Sequence, residues 1–117
     1  MSEERRVIIG AFSPSMINEK IVKEGVNVHI RELSPQELCE KINSVENPIM
    51  TMRHGGTAKA VSDLCGKKIE AEGKTINDVK PGDEIIAILL NTRPGGDKAD
   101  VKPDELKFYL IKILGQA

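Results

Sequence analysis

Thr51-Met52-Arg53-His54-Gly55-Gly56-Thr57 stands between an apolar run ending at Met50 and a helix-patterned segment that reaches Cys65 and Gly66. That order predicts a strand that delivers a positively charged, glycine-flanked turn onto the start of a helix. The N–H groups of a helix's first turn lack internal partners, and the helix dipole favours negative charge there, so such a turn suits an anion. Gly55 and Gly56 let a ligand approach the main chain, and Thr57 is the expected cap. One imidazole beside an anion pocket suggests acid catalysis on a phosphodiester. The same residues equally suit a loop histidine followed by an ordinary capped helix.

Working outward, Ala58, Val61, Leu64 and Cys65 repeat at helical spacing, and Gly66 supplies the stop. Upstream, the Val-Ile-Ile run between Arg6 and Gly10 is apolar on both faces and predicts a buried strand. Ser13 before Pro14 is an N-cap with proline at the first helical position, so a short helix is expected from Pro14 to about Lys23. Ser13 and Ser15 have two readings, capping groups or hydroxyls that face a ligand at the strand's end. Val26 to Leu33 alternates as a strand, with His29 on its polar, solvated side. Ser34-Pro35-Gln36-Glu37 is a capping box that opens a helix to about Asn43.

Ile49 to Met52 is the short strand before His54. Ile69 to Gly73 reads as a strand pair or an exposed loop, with Lys74 at its end. Lys80-Pro81-Gly82-Asp83 is a turn that launches Glu84 to Thr92, whose centre is a fully buried strand. Arg93-Pro94-Gly95-Gly96-Asp97 is a glycine-rich break just past that strand, and Leu106 to Leu114 is the last strand. The whole predicts one α/β domain over residues 1–117, a single mixed sheet of about five strands with about three helices packed on it. The candidate site is whatever gathers at the strand ends: Ser13, Ser15, His54, the Thr57 helix start and Arg93.

Composition narrows the function classes. The chain has 117 residues, 39% hydrophobic and 30% charged, with a net charge of −1. A chain of this length needs a second copy to enclose a sizeable ligand. One Tyr, two Phe and no Trp provide few stacking platforms for single strands, and the net charge disfavours coating long nucleic acid. Cys39 and Cys65 lie in helix-patterned segments without C-x-x-C spacing or a secretory signal, and read as buried thiols in a reducing compartment. With two isolated histidines, no metal site or cofactor is expected. No apolar run approaches the ~20 residues of a membrane span, so a cytoplasmic protein is expected.

Taken together, Ala11-Phe12-Ser13 with Met16, Leu38-Cys39-Glu40, His54-Gly55-Gly56-Thr57, Leu64-Cys65-Gly66, Gly82-Asp83 and Arg93 form a series. It resembles the viral anti-CRISPR ring nucleases of archaeal viruses and their cellular and phage relatives, over nearly the whole chain. The resemblance implies an α/β homodimer that binds cyclic tetra-adenylate, the second messenger of type III CRISPR defence, across its two-fold interface and cleaves it without metal. It also implies His54 as general acid and Arg93 as the phosphate contact, with Ser13, Ser15 and a basic residue at Lys74 lining the ligand. Three positions depart from the family pattern: its asparagine is Gly10, its central-strand glutamine is Leu89, and its catalytic glutamate aligns with Gly96, leaving Asp97 as the nearest carboxylate.

RNA carries its own nucleophile, a 2′-hydroxyl that can attack the adjacent phosphorus and leave a 2′,3′-cyclic phosphate. Arg93 and the helix N–H groups would stabilise charge growing on phosphate, and protonated His54 would give a proton to the leaving 5′-oxygen. A nearby phosphate would raise the His54 pKa. Arg93 also has a plain reading as a surface arginine of a loop, and Asp97 as a turn residue. Arg53, Lys67, Lys68 and Lys74 read as solvated. Two further functions stay open: a cyclic-oligonucleotide sponge or sensor that does not cut, and a small dimeric nucleic-acid or protein interaction module.

Overall fold

The computed structural model describes residues 6–45, 48–53, 55–90 and 106–116. Strands β1 (Val7–Gly10), β2 (Val26–Leu33), β3 (Ile49–Met50), β4 (Glu84–Leu90) and β5 (Leu106–Gln116) form one sheet in the order β2-β5-β4-β1-β3. β1 pairs in parallel with β3 and β4, whereas β5 runs antiparallel to β4 and β2. Three helices accompany it, α1 (Glu19–Glu24), α2 (Pro35–Ser44) and α3 (Gly55–Cys65). The expected mixed α/β sheet with helices packed on it is the fold.

β1 and β4 read as continuous apolar runs because both of their faces are covered. On one face Ile9, Ile86, Phe108 and Leu110 pack with Leu38 and Ile42 of α2 and Val61 of α3. On the other, Ile8, Ile85, Ile111 and Ile113 pack with Ile17, Val79 and the partly buried Met16 and Ile21. Each such side chain contributes about 1.5–3 kcal/mol when fully buried. β2 departs from its expected alternation. Val26 and Val28 are half-buried, but Ile30 on the same side is 57% exposed, and Leu33 turns to the α2 face.

The helix expected from Pro14 to Lys23 is divided in two. Pro14–Met16 is a single 3₁₀ turn, and α1 begins afresh at Glu19. Between them Ile17 is extended and buried, pairing with Val79. Val79 N–H donates to the Met16 carbonyl at 3.1 Å, and Asn18 N–H donates to the Val79 carbonyl at 2.9 Å. These non-local bonds replace the helical ones, and the Asn18 side chain then caps α1 by accepting from Lys20 N–H at 3.0 Å.

The capping box of α2 forms as expected. Glu37 N–H donates to Ser34 Oγ at 3.1 Å, and Ser34 N–H donates to Glu37 Oε1 at 3.0 Å. Bonding to the Ser34 backbone, then to Arg31, holds the Glu37 carboxyl down to about 2. At the other end of α2, Lys67 is not solvated. Its Nζ donates to the carbonyls of Ile42 at 2.9 Å and Val45 at 2.7 Å, meeting acceptors that the helix leaves open.

Cys39 and Cys65 are not thiols but a disulfide that joins α2 to the last residue of α3, with Cα atoms 4.9 Å apart. The two helices pack side by side, which brings their two cysteines face to face. Two buried carboxylates sit at the start of β4, each with a cation. Asp83 accepts from Arg6 at 2.6 Å, and Glu84 from Lys41 at 3.0 Å. Among the described residues no helix is long and apolar enough to cross a membrane.

Candidate functional site

Parallel pairing places the carboxyl ends of β1, β3 and β4 on one edge of the sheet. β2, antiparallel to β5, ends on that edge too. After β1 the chain packs on one face of the sheet; after β3, α3 packs on the other. Neighbouring parallel strands that depart to opposite faces open a crevice beyond their carboxyl ends, where ligands of α/β sheets bind. The Arg6 and Lys41 ion pairs lie at the start of β4, on the opposite edge, so the site edge is free of those structural charges.

Ser13 and Ser15 follow β1 directly. Ser13 caps the 3₁₀ turn: its Oγ accepts from Ser15 N–H at 3.4 Å, and Met16 Sδ accepts from Ser13 N–H at 3.3 Å. The Ser13 and Ser15 hydroxyls are 3.0 Å apart, and both residues are exposed. Capping therefore leaves this hydroxyl pair facing outward, with hydrogen-bonding capacity for an incoming polar group.

β3 contributes less strand than expected, ending at Met50 rather than Met52, but the segment after it stays attached. Thr51 N–H donates to the Ile9 carbonyl at 3.0 Å, and Thr51 Oγ1 donates to the same oxygen at 3.3 Å. Thr51 was not singled out from sequence, and its only signal there was position, at the end of a short apolar run. It fills the space beside Gly10. A Cβ at Gly10 would collide with Thr51 Oγ1 and lie 3.1 Å from the Met52 nitrogen.

Residues 69–73 were expected as a strand pair or an exposed loop. The end of this segment lies along the outer edge of β3. Lys74 N–H donates to the Met50 carbonyl at 3.0 Å, and Gly73 N–H donates to the Met52 carbonyl at 2.8 Å. Lys74 is thus brought beside the strand that leads into the site, with its ammonium 3.9 Å from Glu72. Arg53 is exposed next to it, its Cγ 3.5 Å from where a Cβ on Gly73 would stand.

Gly55 and Gly56 open α3, and a Cβ at Gly55 would meet nothing within 4 Å, so the helix start is open to close approach. Thr57 is not the cap. The helix begins two residues earlier, and Thr57 lies within it, 8% exposed among the buried residues. Its burial places it on the packed side of α3. His54, Arg93, Gly96 and Asp97 lie outside the described residues. Leu89, on β4, is 42% exposed on the side of the sheet away from α2 and α3. Among the described residues no three His, Cys, Asp or Glu side chains gather as a metal-binding group.

No curated protein matches the sequence. Among solved structures, B116 of Sulfolobus turreted icosahedral virus is similar in fold, with a TM-score of 0.74 at 20% identity over 92% of this chain and 98% of that one. The family model described as STIV B116-like matches residues 15–113. This match covers α1 to α3 and most of the sheet, and the chain belongs to the STIV B116-like family.

Proposed function

We propose that this chain acts as a homodimer that binds cyclic tetra-adenylate at the carboxyl edge of its sheet and cleaves it without metal, switching off type III CRISPR signalling. The observation that carries the reading is the convergence of two polar groups on one edge: the exposed Ser13–Ser15 hydroxyl pair after β1 and the start of α3, open at Gly55, after β3. Membership of the STIV B116-like family supports the same reading. The ring's phosphates are met by main-chain N–H groups and hydroxyls, and Arg53 and Lys74 add charge near the end of β3.

In this proposal the 2′-hydroxyl of one adenosine attacks the neighbouring phosphorus, the P–O5′ bond breaks, and a 2′,3′-cyclic phosphate forms. His54 protonates the leaving 5′-oxygen, a role typically worth about 10²- to 10⁴-fold. Arg93 bonds the non-bridging oxygens as their charge grows, and Asp97 is the nearest carboxylate for orienting the hydroxyl. Ring affinity tests the binding half. Calorimetry with cyclic tetra-adenylate should give one ring per two chains, with weaker binding for Ser13→Ala plus Ser15→Ala. No heat at any ratio would remove the ring from consideration.

A second reading has its own support. Gly10 packs so closely on Thr51 that no side chain fits there, and Leu89 presents an apolar side chain where the resembling family has a glutamine. Both losses remove polar groups from the ligand's surroundings, and they favour a ring-binding sponge that holds the messenger without turning it over.

A further inference from the structure

We propose that the Cys39–Cys65 disulfide is a redox-responsive clamp on the segment that carries the candidate site. The two cysteines are separated by 26 residues, and the loop they close contains β3, Thr51, Arg53 and the glycine start of α3. Apart from the disulfide, this loop is attached to the rest of the chain by non-covalent contacts. β3 is the edge strand and pairs with β1 through two residues, Ile49 and Met50. The bonds of Thr51 to Ile9, those that the Met50 and Met52 carbonyls accept from Lys74 and Gly73, and the packing of Met50, Met52, Ala58, Ala60 and Val61 add to this. The clamp fixes the far end of α3 to α2, and α2 is itself anchored by the buried Leu38 and Ile42.

Both cysteine residues are half-buried rather than enclosed, and the clamp requires that a small dithiol reach their sulfurs. In the exchange, a thiolate of the dithiol attacks one sulfur and forms a mixed disulfide. Its second thiol then displaces the protein, leaving Cys39 and Cys65 as thiols and the dithiol as a disulfide, with two electrons and two protons transferred. Once opened, α3 is held to α2 by packing and by the Lys67 bonds to the Ile42 and Val45 carbonyls, without a covalent tie, and the segment entering the site gains access to low-energy local openings. Redox state then sets how well ordered the helix start is for a ligand. Only this last consequence rests on the proposed function.

The chain is treated with dithiothreitol without denaturant, trapped with iodoacetamide and weighed, and its amide hydrogen exchange is followed in both states. Two alkyl groups on folded protein are expected, with amides of β3 and α3 exchanging about tenfold faster relative to those of β4 and β5. The double variant Cys39→Ser, Cys65→Ser should match the reduced form and ignore the dithiol. Labelling that requires denaturant, or acceleration in β3 and α3 no greater than in β4 and β5, overturns the clamp. Titration with cyclic tetra-adenylate should give a several-fold higher Kd after reduction; equal affinity in both states overturns control of the site. If neither state binds the ring, the functional reading fails, and the labelling and exchange results still decide the clamp.

Discussion

Thr51 stands against Gly10 at the carboxyl ends of β3 and β1, with its Oγ1 in the space a Cβ would need and both its N–H and hydroxyl bonded to the Ile9 carbonyl. The absence of a side chain at Gly10 is therefore a packing requirement. Gly10→Ala should destabilise the chain by about 1–3 kcal/mol, the usual range for overpacking. Adding Thr51→Ala should recover part of that loss and not all, because the Met52 nitrogen and Thr51 carbonyl carbon remain 3.1 and 3.2 Å from the new Cβ. Urea midpoints of the two variants check it; a neutral Gly10→Ala would show that the strands have room to part.

At the opposite edge, Arg6 satisfies a carboxylate that is 1% exposed. Arg6→Met leaves Asp83 buried with the Lys80 N–H at 3.2 Å as the remaining hydrogen-bond donor to its carboxylate among the described residues. Breaking a buried pair from one side typically costs about 3–5 kcal/mol, and Asp83→Asn, which keeps the shape and removes the charge, should cost less. Chemical denaturation of both variants gives the comparison. Ring affinity of the folded fraction should be unchanged, because this pair lies across the sheet from the site.

Acid should weaken the cap at the start of α2. Glu37 is held down to about 2 from an ordinary 4.5, first by the Ser34 backbone and then by Arg31. A lowered folded-state pKa means that the capping contribution is complete above the unfolded value and is lost as pH falls from 4.5 towards 2. Thermal midpoints measured across that window should fall more steeply for the wild type than for Glu37→Gln, which has no charge there to lose. Parallel slopes would contradict the capping role.

These particulars show what the sequence could and could not tell. The α2 box was legible because capping is local, with donor, acceptor and proline all inside Ser34 to Glu37. The uninterrupted apolar runs of β1 and β4 were legible because burial on both faces writes itself as composition. The break after Met16 was not, since it depends on Val79, far along the chain. Nor was the disulfide, because helical spacing says nothing of which helices lie side by side. Thr57 looked like a cap since it is the first hydroxyl after the turn, but the glycines before it are already helical. The site was legible as a region, at strand ends after β1 and β3, while Thr51 and the approach of Lys74 emerged only from the pairing of strands.

The most direct measurement follows radiolabelled cyclic tetra-adenylate incubated with the protein in EDTA, beside His54→Ala, with products and bound label read together. The account predicts linear products ending in a 2′,3′-cyclic phosphate from the wild type, and bound but uncut ring from His54→Ala. Equal cleavage by both proteins, or a ring neither bound nor cut by the wild type, would contradict it.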